Sequence, residues 1–346
     1  MRSTRRVFLI ALVTALAVSG CKFTGFSDSA NPPVMTKAKT WLVTQQQADG
    51  SFEVSGFPGF ETPDAVIAIG ETAQTTATWN TTKARAAVRA VKKNGLSALD
   101  ALDDFADGTL SAGQAAKLIV LVASPLGMSR TAFDPQNDGA RNLLSVVNSG
   151  AAANGSYGAF NATLYAAIAK HQTSASGTVP ANTVTFIRNA QQANGGWNYS
   201  GDNTGTDLDV DTTSLALQAL VAAKVGPTDA DLVAGLQFLA DQQTASGAWQ
   251  SFGSNDPNST STAIIAITAA GFDPTKPCWR DTVRPAKHGS AYGNPVGWLR
   301  SQQAADGHIN SANDAFPPVN TFATTQTMQA LERGWLPVAW LNPQPC

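Results

Sequence analysis

Phe186-Ile187-Arg188-Asn189-Ala190-Gln191-Gln192-Ala193-Asn194-Gly195-Gly196-Trp197 is the stretch from which the fold can be read. An aromatic residue lies five positions before Gln191, and a Gly lies four after it. The same frame recurs as Trp41-Leu42…Gln46…Gly50-Ser51-Phe52, Phe238-Leu239…Gln243…Gly247-Ala248-Trp249 and Trp298-Leu299…Gln303…Gly307-His308-Ile309. A degenerate copy ends at Gly155-Ser156-Tyr157, with Ala151 in place of the Gln. Fixed spacing inside a recurring unit marks a repeat architecture, in which one supersecondary unit is stacked several times.

Working outward, the segment before each Gln is an amphipathic helix. Leu232, Leu236, Leu239 and Ala240 keep helical spacing, with Asp229, Asp231 and Asp241 between them. The segment after each Gly differs: 213–223, 262–270 and 164–169 are apolar or small almost all round, which a helix buried on every side requires. The 105 residues between Gly50 and Gly155 leave room for two units, and 82–105 followed by 111–123 has helical composition around an Asp107-Gly108 break. Six hairpins result, the second without the motif. Alternating amphipathic and fully buried helices predict an all-α fold, an α6/α6 toroid of six helical hairpins in two concentric rings. Asp211-Thr212-Thr213, Asn258-Ser259-Thr260 and Asn320-Thr321 are expected to cap the inner helices. Strand signals are nearly absent.

The motif resembles the QW repeat of squalene–hopene and oxidosqualene cyclases, most fully at Lys37-Ala38-x-x-Trp41-Leu42-x-x-x-Gln46-x-x-x-Gly50-x-Phe52, with Phe for the final Trp. The resemblance spans roughly residues 35–340. It implies the toroid shared by terpene cyclases, protein prenyltransferases and the transcobalamin–intrinsic factor group, and it specifies fold more than function. Trp197, Trp249 and Trp298 read first as structural staples over the Gly turns.

Hydrophobic residues make up 43% of the 346 and charged residues 14%, a globular composition without the basic face that nucleic acid requires. Residues 1–20 read as a signal peptide: Arg2, Arg5 and Arg6, then an apolar run from Val7 to Val18 too short to span a bilayer. Val18-Ser19-Gly20-Cys21 resembles a bacterial lipobox, which implies acylation of Cys21 and a membrane-anchored, extracytoplasmic lipoprotein. Thr4-Arg5-Arg6-Val7-Phe8-Leu9 also looks like a twin-arginine export signal. Residues 21–34 form a tether and 35–346 the toroid domain. The remaining cysteines, Cys278 and Cys346, are expected to form a disulfide in an oxidising exterior.

Asp207-Leu208-Asp209-Val210-Asp211-Thr212-Thr213 is the sharpest functional signal. It resembles the Asp-x-Asp-Asp segment with which squalene–hopene cyclases protonate an alkene. Asp209 and Asp211 occupy the first two acidic positions, and Thr212 stands where the next Asp belongs. These cyclases also carry a second helical barrel, for which the chain has no room. A calcium loop on Asp202, Asp207, Asp209 and Asp211 lacks the Gly and closing Glu of an EF-hand. Zinc-dependent prenyl transfer needs a His and Cys cluster, whereas His171, His288 and His308 lie in separate segments.

The mouth of the ring is expected to offer Glu61, Asp64, Asp207, Asn258 and Asn320, flanked by Tyr157, Trp197 and Tyr199, as a ligand-binding surface. The reading favoured here is a lipid-anchored extracytoplasmic binding protein without catalysis. Its ligand would be a small molecule, a glycan or an envelope protein, and a corrinoid is the ligand implied by transcobalamin-like inner helices. No cofactor or metal is expected. The alternative is a terpene cyclase-like or prenyltransferase-like enzyme with Asp209 and Asp211 as its acid.

Overall fold

The computed structural model describes residues 31–53, 57–74, 79–174, 176–277, 279–280, 292–313 and 320–332. The signal segment, Cys21, Cys278 and Cys346 lie outside the described residues, and with them the lipidation and disulfide expectations. No helix among the described residues is long and apolar enough to cross a membrane.

The helices are α1 (Asn31–Thr44), α2 (Thr62–Glu71), α3 (Thr81–Ala90), α4 (Ala98–Asp107), α5 (Ala112–Leu118), α6 (Leu143–Ser149), α7 (Phe160–Thr173), α8 (Ala181–Asn189), α9 (Val210–Ala222), α10 (Ala230–Gln242), α11 (Pro257–Ala269), α12 (Pro295–Ser301) and α13 (Thr321–Leu331). A π-helical turn, Ile119–Ala123, continues α5. Helices α2, α5 with its π turn, α7, α9, α11 and α13 each pack on the next, and α13 returns to α2. These form the inner ring. Against it lie α1, α3 with α4, α6, α8, α10 and α12. The two-ring toroid expected from the sequence is the observed fold.

Composition explains the layering. Every residue of α2 is buried, and α11 is buried at all positions but Thr262, so their Ala, Ile, Ser and Thr side chains face protein on every side. The outer helix α3 buries only Ala84 and Val88. Two local departures stand out. The segment 82–105 is not one helix, because Asn94 and Gly95, both at positive φ, turn a short antiparallel ladder (β1, Lys92–Lys93; β2, Leu96–Ser97) that starts α4 afresh. A second ladder, β3 (Trp249–Ser251) with β4 (Ser254–Asp256), leads into α11.

The repeated motif is the joint between neighbouring hairpins. The amide Nε2 of Gln46, Gln191, Gln243 and Gln303 donates to the carbonyl of its own motif Gly, at 2.9, 2.8, 2.8 and 3.0 Å. Gln191 donates further to Asp231 O at the start of α10, and Gln303 to Val34 O in α1. The ring therefore closes through the same bond that propagates it. Gly is obligatory at the joint: at Gly307 φ is +109°, and a Cβ there would lie 2.3 Å from Lys37 O. The residue two after each Gly donates its main-chain N–H to an inner-helix Thr. The pairs are Phe52 to Thr62, Tyr157 to Thr163, Trp197 to Thr213, Trp249 to Thr260 and Ile309 to Thr324, all at 2.9–3.0 Å.

Candidate active site

The start of α9 carries the acidic segment. Asp209, with extended backbone, accepts Thr212 N–H at 2.8 Å and is the cap. Asp256 does the same for α11, accepting Ser259 N–H at 2.8 Å. The capping expectation for Asp211 and Asn258 is thus corrected by two residues at each helix. The N-cap must precede the helix to aim its oxygen back at the free N–H groups, and α9 begins at Val210. Asn320 precedes α13 at φ +57° without a side-chain cap, and its Oδ1 accepts Ser311 N–H instead.

Released from capping, Asp211 reaches across to the neighbouring inner helix. Its carboxylate accepts Thr262 Oγ1–H at 2.8 Å and Ser259 Oγ–H at 3.2 Å, both from α11. The side chain is solvent-accessible, although protein surrounds it in depth. Burial pushes its pKa from 3.8 up to about 7, and Asp209 and Asp256 add to the rise, while the hydroxyls of Thr262 and Ser259 oppose it. A carboxyl of this kind keeps its proton in mildly acidic water. The two hydroxyls then stabilise the anion it leaves behind.

Around the inner ring, α9 stands opposite α2. There Asp64 forms an ion pair with Lys117 Nζ at 2.8 Å and accepts Gln329 Nε2–H at 3.1 Å. Lys117 also donates to Phe60 O at 2.6 Å and lies over the rings of Phe60 and Phe322, 5.0 and 5.9 Å from their centroids. Burial works to lower the Lys117 pKa, but Asp64 with Tyr165 and Glu53 outweighs it, and the net shift is upward. Lys117 therefore stays a cation.

The other residues singled out in the sequence scatter. Trp197 is wholly buried, its indole N–H donating to Ile187 O at 2.7 Å, which makes it a staple of hairpin four. Tyr157 is also in the core. Tyr199 is 68% exposed, and Asp207 is exposed, accepting Asn198 Nδ2–H at 2.7 Å. Glu61 and Asn258 are buried at the starts of α2 and α11. At α2 the capping is done from outside the helix by Glu53, whose carboxylate accepts the main-chain N–H of Phe60, Glu61 and Thr62. Ser259, Thr262 and Lys117 join the site only in the folded structure. A Ser and a Thr three residues apart in an apolar helix give no linear signal, because their partner Asp211 sits 48 and 51 residues away.

No family model matches the chain, and no curated protein matches it. Among solved structures the chain is similar to the type II terpene cyclase MstE from Scytonema, with TM-score 0.58 at 13% identity for the apo form. A variant of that cyclase in complex with its substrate, geranylgeranyl dihydroxybenzoate, gives 0.61 at 12%. Both alignments cover 87% of this chain and 96% of the cyclase. A protein from Actinoplanes aligns with TM-score 0.52 and 18% identity over 87% of this chain and 98% of its own. The likeness is one of fold.

Two expectations are corrected by it. The favoured reading, a binding protein that catalyses nothing, is overturned: the similar toroids seen with substrate and with product are those of a terpene cyclase, an enzyme. The objection from chain length falls too. One chain of this size covers nearly all of that cyclase, so the match needs no second helical barrel.

Proposed function

We propose that this protein is a terpene cyclase-like enzyme that starts cyclisation of a polyprenoid by protonating an alkene, with Asp211 as the general acid. The observation that supports this reading is the state of Asp211: an inner-helix carboxyl held by Ser259 and Thr262 of the next inner helix, with its pKa raised to about 7. In the proposed step the Asp211 proton passes to one alkene carbon, the π pair forms the new C–H bond, and a tertiary cation is left. Further alkenes of the chain close rings on that cation, and loss of a proton ends the reaction. The substrate and product are isomers.

Asp209 is the positioning residue, because capping α9 fixes the helix turn that presents Asp211. Its negative charge also helps keep the neighbouring carboxyl protonated. The missing carboxylate at Thr212 is offset on this reading by the two α11 hydroxyls, which supply hydrogen bonds to the conjugate base. Acylation at Cys21, if carried through, would hold such an enzyme beside membrane-borne polyprenoids.

The test incubates the mature protein at about pH 5.5 with geranylgeranyl dihydroxybenzoate and with farnesyl- and squalene-type chains. Products are read by mass spectrometry and NMR as isomers with fewer alkenes. Wild type is expected to form such an isomer and Asp211→Asn to lose it. No product from any of these chains, or turnover unaffected by Asp211→Asn, would overturn the proposal.

A further inference from the structure

Away from Asp211, a second group of carboxylates converges where the loop between the π turn and α6 folds back over α4. Asp103 on α4 and Asp134 and Asp138 in that loop each place one carboxylate oxygen within 4.8 Å of those of the other two. Asp103 is wholly excluded from solvent, 0% exposed. Its Oδ2 accepts Gln136 N–H at 2.6 Å, while its buried Oδ1 has no hydrogen-bond partner. A buried carboxylate oxygen without a donor is costly, and more so when it faces two further carboxylates. Among the described residues no lysine or arginine pairs with any of the three, and nearby Arg89 donates to Pro135 O instead.

The loop is held over the helix by a clamp that leaves this corner open. Gln136 Nε2 donates to Asp100 O at 3.0 Å and to Asp104 Oδ1 at 2.7 Å, and Asp134 Oδ1 accepts Asp138 N–H at 3.0 Å. The Asp103 pKa is raised to about 6, by burial first and then by the charges of Asp138, Asp134 and Asp107, against the opposing Gln136 N–H.

We propose that Asp103, Asp134 and Asp138 form a calcium site that staples this loop to α4. The donors are all hard oxygens, and calcium accepts a flexible set of six to eight, so water completes the shell at the exposed Asp138 side. A divalent ion neutralises most of the clustered charge and gives Asp103 Oδ1 the partner it lacks. The loop joins hairpin two to hairpin three, and hairpin two is the repeat that lacks the Gln–Gly motif. An ion there takes over the joint's work.

The test strips the mature protein with chelator, returns it to a low-salt buffer at pH 7.5, and follows Tm against added calcium chloride. Magnesium chloride and sodium chloride at matched ionic strength are the controls. Calcium in the millimolar range is expected to raise Tm by a few degrees, with half-saturation on the order of 10⁻⁴–10⁻³ M. Asp138→Asn and Asp134→Asn should fold as wild type does and lose that rise. Asp103→Asn should raise Tm without calcium, by removing a buried charge, and also lose the response. No calcium-dependent rise in wild type, an equal rise with magnesium, or a rise that survives in all three variants would overturn the assignment.

Discussion

Hairpin four (α8 and α9) and hairpin five (α10 and α11) are near copies in their packing and part at one inner-helix position. In both, the motif Gln bonds its Gly carbonyl at 2.8 Å, and the Trp indole returns to the outer helix, at 2.7 Å to Ile187 O and 2.8 Å to Leu239 O. Both place an Asp cap two residues before the divergence, Asp209 and Asp256. Then α9 has the exposed Asp211, bonded to Ser259 and Thr262, where α11 has the buried Asn258. What repeats is scaffold. What departs from the repeat at a fully built position is the candidate for chemistry, since nothing in the packing of hairpin five requires an acid there.

The sharpest way to break this comparison is to erase the departure. Asp211→Asn makes hairpin four resemble hairpin five, and the proposed turnover should fall by at least about a hundredfold, the usual contribution of a general acid. Its Tm at pH 7 should not fall. Asn258→Asp, the reciprocal change, should give no new activity in an Asp211→Asn background.

Next come the shared joints. Gly195→Ala and Gly247→Ala should each cost about 3 kcal/mol in chemical denaturation, because φ is +88° and +95° and the new Cβ would lie 2.5 Å from Ala234 O and 2.4 Å from Gly293 O. Gly253→Ala, also at positive φ but with nothing within 4 Å, should cost only about 1 kcal/mol. Equal losses at all three would mean that φ rather than close approach dominates.

The caps separate position from residue type. Asp209→Ala should cost about 1 kcal/mol and Asp256→Ala about 2 kcal/mol, the latter because Asp256 is buried and also accepts Ser311 Oγ–H at 2.8 Å. Asp211→Ala, which removes no cap, should cost less than Asp209→Ala.

A separate expected effect is in pH. The folded-state pKa of Asp211, about 7, lies above its unfolded value near 3.8, so between these the native protein holds a proton that the unfolded chain has lost. The stabilisation from that proton is complete below about pH 4, fades as pH rises toward 7, and is gone above it. Asp103 adds a similar decline that ends near pH 6. Subtracting the Tm–pH curve of Asp211→Asn from that of wild type isolates the Asp211 part, and parallel curves would show that its carboxyl is already ionised at pH 4.

The toroid was legible because its signals are local. Aromatic, Gln and Gly lie within one outer helix and its turn, so the spacing is fixed by helix geometry and survives in the linear sequence. The inner-helix Thr that completes each joint was not legible, since the connecting loop differs in length in every repeat, from the short run before Thr163 to the long one before Thr213. The break inside 82–105 was missed for a different reason. Asn94-Gly95 is itself a hairpin-turn signal, masked by the helix-compatible residues on either side and confirmed by the pairing of Lys92 with Ser97.

By itself, then, the sequence determined the repeat, the two classes of helix and the presence of an acidic segment at the head of the fourth inner helix. Periodicity and burial are properties of single segments, and a single segment carries them. Which acid caps and which bonds to the neighbouring inner helix was decided only in the tertiary structure. Asp209 and Asp211 are chemically identical and two residues apart, and their roles diverge because α9 begins between them and α11 brings Ser259 and Thr262 to one and not the other. The same holds for Asp103, Asp134 and Asp138, which are ordinary surface-type residues in sequence and become a cluster only when the loop folds onto α4. Electrostatic character depends on distance and on the exclusion of water, and both are set by contacts between segments far apart in the chain.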